Sequence, residues 1–199
     1  DLPPYDTTTE LDAVGWDFTA GQLMRSVTMA GVTCKSLTLG GGTTVRPEAM
    51  FAFPPSAAGT FSFSGFTASS GVQGRFDILD AANNVLASVY LPGPTSVAIE
   101  CLSGGLATTT IPNGGTNNML STGTKGWSDF RIDWNGSTFN WNWIHRLQTG
   151  TVNNQQSGSG AAFNSGGVPA KIRMRNDLYD LSYRIFGVAD VYVWYSSGL

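Results

Sequence analysis

Short segments in which apolar and polar residues alternate run from Leu23 to the C-terminus. Turn-forming residues divide them, for example Gly40-Gly41-Gly42, Pro92-Gly93-Pro94 and Asn135-Gly136. An alternation of period two is that of a strand with one buried face, and Gly, Pro and Asn provide the backbone angles that reverse the chain. No long segment has a helical pattern. The sequence therefore predicts an all-β protein with antiparallel strands.

The chain of 199 residues suits one domain. Each half-polar strand needs a second sheet to cover its apolar face, so we expect a two-sheet β-sandwich over 1–199. Residues 1–21 would form an N-terminal extension or a first edge strand. Two polar stretches, Thr108 to Lys125 and Gln148 to Gly167, are predicted to be loops.

The charge balance excludes some functions. Eleven Lys and Arg face fourteen Asp and Glu, a net charge of -3, so no basic surface for nucleic acid is expected. No apolar stretch approaches the roughly 18 residues needed to cross a bilayer, so we expect no membrane insertion. Cys34 and Cys101 each lie in a strand-like segment and would form either one disulfide or two buried thiols.

The most informative segment is Gly126 to Arg146. Asn135-Gly136 favours a two-residue type I′ hairpin, which would place Trp134 opposite Ser137. Counting by twos gives an aromatic face of Phe130, Ile132, Trp134, Phe139, Trp141, Trp143 and His145. The other face carries Arg131, Asp133, Thr138, Asn140, Asn142 and Arg146. We expect the aromatic face to pack between the sheets and the polar face to meet water or line a groove.

Three stretches resemble concanavalin A-like and laminin G-like domains. They are Phe130 to Thr138 (FRIDWNGST), Gly187 to Tyr195 (GVADVYVWY), in which Ala189 replaces an acid, and Thr60 to Phe66 followed by Gly74 to Leu79. The resemblance implies a jelly roll of two antiparallel sheets. Such domains serve as glycan-binding or protein-binding modules and as polysaccharide hydrolases or lyases.

Enzyme signatures of these families are mostly missing. A retaining glycosidase of this fold needs paired carboxylates, usually in a Glu-x-Asp-x-Glu run, and Glu10, Glu48 and Glu100 lack that neighbourhood. Trp143-Ile144-His145 resembles the Gln-Ile-His strand of alginate-lyase-like jelly rolls, with Trp143 in place of Gln. That family's Arg strand is absent. We therefore expect a binding protein rather than an enzyme, with His145 as the catalytic base if the protein is a lyase.

The resemblance also raises the question of calcium, which members of these families often bind. Asp177 and Asp180 share a predicted loop and would be its ligands. The alternative is that these carboxylates form salt bridges with Arg173 and Arg175. No other cofactor is expected.

These observations predict a glycan-binding, lectin-like module that acts at an extracellular, cell-surface or virion location. Arg131, Asp133, Asn140 and Asn142 would hydrogen-bond the sugar hydroxyls, and Trp127 or Tyr179 would stack on a sugar ring. The first alternative is a structural or host-attachment protein of a virion or cell-surface assembly, forming homo-oligomers or larger assemblies. The second is a polysaccharide lyase that uses His145.

Overall fold

A computed structural model describes residues 15–18, 22–40, 47–67, 73–119, 125–177 and 185–196. Within these ranges the chain forms two seven-stranded antiparallel sheets. Sheet I contains, in spatial order, β1 (Trp16–Phe18), β4 (Glu48–Ala52), β13 (Lys171–Asn176), β6 (Gly74–Leu79), β7 (Val85–Gly93), β8 (Ser96–Glu100) and β9 (Thr109–Thr110). Sheet II contains β12 (Val152–Ala162), β11 (Thr138–Leu147), β10 (Gly126–Asn135), β5 (Ala58–Thr67), β14 (Ile185–Tyr195), β3 (Val32–Gly40) and β2 (Gln22–Met29). The predicted all-β, two-sheet architecture is confirmed. No helix in the described ranges could span a membrane.

The sheets enclose a core rich in aromatic side chains. Phe63 of β5 stacks on Phe130 of β10, with ring centroids 5.1 Å apart, and also on Phe76 of β6 in the opposite sheet. Trp134 and Trp143 are buried in this core with their indole N–H groups satisfied, by Ser56 O at 3.0 Å and Ser128 Oγ at 2.8 Å. Since an unpaired buried N–H is costly, these bonds explain how the core accommodates tryptophan.

The β10–β11 hairpin has a different register from the predicted one. Asn135 pairs with Thr138 and Trp134 with Phe139, so the turn is Gly136-Ser137 rather than Asn135-Gly136. Gly136 has φ +66°, and the first central position of a type II′ turn requires such an angle, which glycine adopts most easily. The shift moves each partner by two residues, which leaves every side chain on its predicted face.

The predicted loop Gln148 to Gly167 is wrong, because most of it is strand β12, at the edge of sheet II. β12 is polar along both faces, so it lacks the alternation that marks a half-buried strand. It pairs with β11 and, at its last residue Ala162, forms one bridge to Ser103. Gly158 allows it to pass over Trp141, since a Cβ there would lie 2.5 Å from Trp141 Nε1. Edge strands need backbone pairing on one side only, which explains why this composition is tolerated.

The β2–β3 hairpin forms an arm over the outer face of sheet II, the face directed away from sheet I. β3 pairs with β14 only over Leu37 to Gly40, so the rest of the hairpin separates from β14. At its turn, Ala30 N donates to Gln148 O at 3.0 Å, in the β11–β12 turn. In the strand order of sheet II, five strand spacings separate β2 from β11, which would be about 24 Å in a flat sheet. The sheet must therefore curl, and its outer face is concave at this end.

Three further expectations concern shorter segments. Of the predicted loop Thr108 to Lys125, Thr109–Thr110 forms β9, and residues 120–124 lie outside the described residues. Of residues 1–21, Trp16–Phe18 forms edge strand β1, which pairs with β4. Cys101 carries a free, half-buried thiol whose Sγ lies 3.2 Å from Ser103 O, so no disulfide to Cys34 is present; the side chain of Cys34 lies outside the described residues.

Candidate functional site

Two rows of side chains cross four strands on the outer face of sheet II, and together we call them the platform. Residues directly opposite in antiparallel strands share a face, so the pairing of β14, β5, β10 and β11 defines the rows. One row is Trp194, Thr60, Asp133 and Asn140, and the other is Tyr192, Ser62, Arg131 and Asn142. Three strand spacings of about 4.8 Å make the platform roughly 14 Å wide.

Two aromatic side chains at the β14 end were not predicted as site residues. Trp194 and Tyr192 are 50% and 48% exposed, whereas Val191 and Val193 pack against the core. Large exposed aromatic side chains on a sheet face are unusual enough to suggest a binding surface. The alternation in Val191 to Tyr195 contained this signal, because inward valines place Tyr192 and Trp194 outward.

Arg131 and Asp133, adjacent on β10, form the charged centre of the platform. Arg131 Nε lies 2.8 Å from Asp133 Oδ2, and Nη2 lies 2.9 Å from Oδ1. Thr60 Oγ1 donates to Asp133 Oδ1 at 2.6 Å, from the neighbouring strand. The guanidinium holds the pKa of Asp133 below its ordinary value, and the carboxylate in turn raises the pKa of Arg131. Both groups are therefore ionised and held in fixed orientations.

Asn140 and Asn142 lie on the same face as Arg131 and Asp133, in the positions that the sequence predicts. Asn140 is exposed, and its Oδ1 accepts from Gly160 N of β12 at 3.1 Å. Asn142 is half-buried opposite Arg131, and its Oδ1 has no hydrogen-bond partner among the described residues. The structure thus brings together four predicted ligand-binding residues.

Trp127 is not an exposed stacking residue, contrary to the prediction. It is 4% exposed and packs in a second apolar cluster with Met29 of the arm, Phe66 and Met119. Its Nε1 donates to Asp129 Oδ1 at 2.8 Å. The arm covers this end of the outer face, so Trp127 is a buried side chain that packs beneath the arm. Tyr179, the other predicted stacking residue, lies outside the described residues.

A charged boundary separates the covered end from the platform. Asp129 accepts from Ser64 Oγ at 2.7 Å and from Arg146 Nε at 2.6 Å. Asp190 lies at a bulge in β14 with φ +52°, and burial and the negative charge of Asp129 raise its pKa. The boundary therefore adds two carboxylates and one guanidinium beside the platform.

His145 lies on the inner face and is not part of the platform. Its side chain is 0% exposed. Nε2 lies 3.2 Å from Thr116 O, and Nδ1 lies 3.2 Å from Asn153 Nδ2. The neutral tautomer that donates from Nε2 and accepts at Nδ1 satisfies both contacts, and burial lowers the pKa of the imidazole. In this structure His145 ties β11 to the loop before β10 and has no free nitrogen for a substrate.

Asp177, a predicted calcium ligand, lies beyond the outer face of sheet I and contacts arginines. Its carboxylate is 3.0 Å from Arg175 Nε and 3.8 Å from Arg75 Nη1. Asp180, the second predicted ligand, lies outside the described residues. No group of three or more His, Cys, Asp or Glu side chains suited to a metal occurs in the described ranges. At Asp177 the structure has the salt-bridge alternative.

The platform combines groups that recognise polar rings. The exposed faces of Trp194 and Tyr192 offer apolar surface, while Arg131, Asp133 and the amides offer donors and acceptors in fixed directions. A ligand with one apolar face and several hydroxyls along its edge would satisfy both kinds of contact. The arrangement is that of a binding surface.

Comparison with known proteins identifies the fold. No protein-family model matches the chain, and no curated protein matches it. The chain is similar to a solved sialidase (TM-score 0.54, 9% identity, 94% of this chain), of which it spans 17%. It is also similar to lectin II from Ulex europaeus (TM-score 0.52, 12% identity, 88% and 93% of the two chains) and to a Crh5 transglycosylase in complex with NAG (TM-score 0.53, 14% identity, 98% and 83%). At these identities the likeness shows the fold alone, a jelly-roll sandwich of two antiparallel sheets.

Proposed function

We propose that this protein binds glycans through the platform and acts outside the cytoplasm. The observation that carries the proposal is the juxtaposition, on one face, of two half-exposed aromatic rings with an oriented Arg131–Asp133 pair and two amides. The width of roughly 14 Å suits an oligosaccharide of about three units laid across the strands. A fold shared with a lectin is compatible with this function, but the platform residues are its support.

The first test is binding to a broad array of glycans, followed by titration of each hit. Trp194→Ala should weaken binding about fivefold, because a ring stacked on a sugar contributes about 1 kcal/mol. Its melting temperature should stay close to wild type, since the ring is half exposed. Leu102→Ala is the matched control, because Leu102 is 69% exposed and follows β8 of sheet I; its affinity should equal that of wild type.

The amide end of the platform is tested by a double variant. Asn140→Ala with Asn142→Ala should abolish saccharide binding and lower the melting temperature only slightly, because neither side chain packs in the core and the variant loses one hydrogen bond, from Gly160 N to Asn140 Oδ1. Unchanged affinity in the double variant would remove this face from the site.

The alternatives predict other results. A lyase would release an unsaturated product that absorbs in the ultraviolet, and the activity would disappear in His145→Ala. A structural or attachment protein would ignore every glycan and form a large assembly in solution, with Trp194 and Tyr192 buried between subunits. Solution mass and the array together separate these outcomes.

A further inference from the structure

The charged side chains that the structure describes on and beside the platform leave an excess of negative charge. They are Asp129, Asp133, Asp190, Arg131 and Arg146, three carboxylates against two guanidiniums. Arg131 pairs with Asp133, and Arg146 pairs with Asp129. Asp190 makes no hydrogen bond or ion pair among the described residues. Both guanidiniums of this set are therefore already paired with a carboxylate of the protein.

Arg131 is the cation that a ligand on the platform would contact, but Asp133 already occupies the edge of its guanidinium that binds carboxylates. Asp133 takes both Nε and Nη2 of the guanidinium, which is the geometry that a ligand carboxylate would otherwise use. Thr60 Oγ1 fixes Asp133 in that position. An acidic sugar on Arg131 would have to displace Asp133 or share the guanidinium with it, and either course brings two carboxylates together.

We propose, on the basis of the proposed function, that the platform selects uncharged glycans and that Asp133, positioned by Thr60, excludes acidic sugars such as uronates. Asp133 acts in two ways. It occupies the guanidinium of Arg131, and its own charge repels a nearby anion. Because this pair is partly exposed and screened by solvent, we expect the discrimination to be about three- to tenfold rather than absolute.

The experiment compares two ligands that differ only in charge. The neutral oligosaccharide that binds best on the array is oxidised at its primary hydroxyls to carboxylates, and part of the product is converted to carboxamides of nearly the same shape. Affinities for the acid and the amide are measured with wild type, Asp133→Asn, Thr60→Val and Asp17→Asn, at low and high salt. Asp17→Asn is the matched control, since it removes one exposed carboxylate from β1 in sheet I.

Wild type should bind the amide about three- to tenfold more tightly than the acid at low salt, and the ratio should shrink at high salt. Asp133→Asn should bring the ratio to about one or reverse it, Thr60→Val should reduce it in part, and Asp17→Asn should leave it as in wild type. The salt-dependent ratio separates this role from a purely structural one.

Two results would overturn the inference: equal binding of acid and amide by wild type at low salt, or an unchanged ratio in Asp133→Asn. In both cases the neutral oligosaccharide still binds, so the proposed function stands. If neither the neutral oligosaccharide nor its derivatives bind wild type, the proposed function and the inference both fail.

Discussion

Trp127 and Trp194 lie on the same outer face of sheet II, yet one is 4% and the other 50% exposed. The difference comes from what covers them. Met29 and Met119 pack over Trp127, whose indole N–H is satisfied by Asp129. No such cover lies over Trp194 in the described part of the chain. The contact that a ring makes across the sheet, and not its residue type, decides whether it stabilises the fold or is available to a ligand.

His145 makes stability depend on pH, because it is the single histidine of the chain and is buried. Burial lowers its pKa in the folded state. As the pH is lowered through the ordinary imidazole pKa of about 6.5, the unfolded chain binds a proton at His145 but the folded chain does not. The free energy of unfolding therefore decreases as the pH is lowered, until the pH reaches the pKa of the folded state. We expect a fall in melting temperature between about pH 7.5 and about pH 5.5, and a smaller fall in His145→Gln.

Asp190 provides the control for this measurement. Its pKa is raised in the folded state, so it contributes with the opposite sign and favours folding as the pH falls. Asp190→Asn should therefore retain the fall or steepen it. An equal fall in His145→Gln and wild type would contradict the assignment.

At the residue scale, the sequence predicted faces better than exposure. The alternation of the two strands places the side chains of Arg131, Asp133, Asn140 and Asn142 on the outer face. The observed turn differs from the predicted one, but a register shift of two residues leaves each side chain on the same face of the sheet. Exposure depends on distant segments. The arm that covers Trp127 begins more than ninety residues earlier in the chain, and no local pattern reveals such a contact.

Among the elements, β12 is the one that sequence patterns describe least well. β12 is joined to β11 through backbone bonds, with residue shifts near Trp141 and Arg146. β12 has few buried side chains to reveal it, whereas β10 and β11 were predicted closely because each carries an unbroken aromatic alternation.

Gly158 is the residue on which the fit of β12 depends. In Gly158→Ala the new Cβ would lie 2.5 Å from Trp141 Nε1, so the strand or the ring must move, and we expect a loss of about 1–3 kcal/mol in the free energy of unfolding. Gly166→Ala is the control, since a Cβ there meets nothing within 4 Å. Denaturant unfolding of both variants measures the difference, and equal stabilities would show that β12 adapts freely.

For the whole molecule, the two outer faces have different chemistry. The outer face of sheet I holds Asp77, which is 0% exposed, among Arg75, Arg173 and Arg175; the shortest contact is 2.6 Å, to Arg173 Nη2. This network joins β6 to β13 and is closed to ligands by its own carboxylates. Sheet II carries the open platform. One sandwich therefore separates a stabilising face from the face of the proposed site.

This separation predicts that Asp77→Asn affects stability alone. Removing the central charge leaves three arginines facing one another, so we expect a loss of about 3 kcal/mol in the free energy of unfolding. Affinity for the array hit should not change, since the platform is on the other sheet. Glu100→Gln is the control, because this partner of Arg75 is half exposed and should contribute less than about 1 kcal/mol. A large loss of affinity in Asp77→Asn would show that the two faces are coupled.

The position of β14 has a consequence for folding during synthesis. β14 comes last of the described strands, but it lies inside sheet II, between β5 and β3. Its pairing of Trp194 with Thr60 joins residues far apart in the chain, and such non-local contacts form slowly. Until β14 inserts, the edges of β5 and β3 stay unpaired and open to other strands. A nascent chain therefore acquires its aromatic platform, and loses its tendency to aggregate, in the same late step.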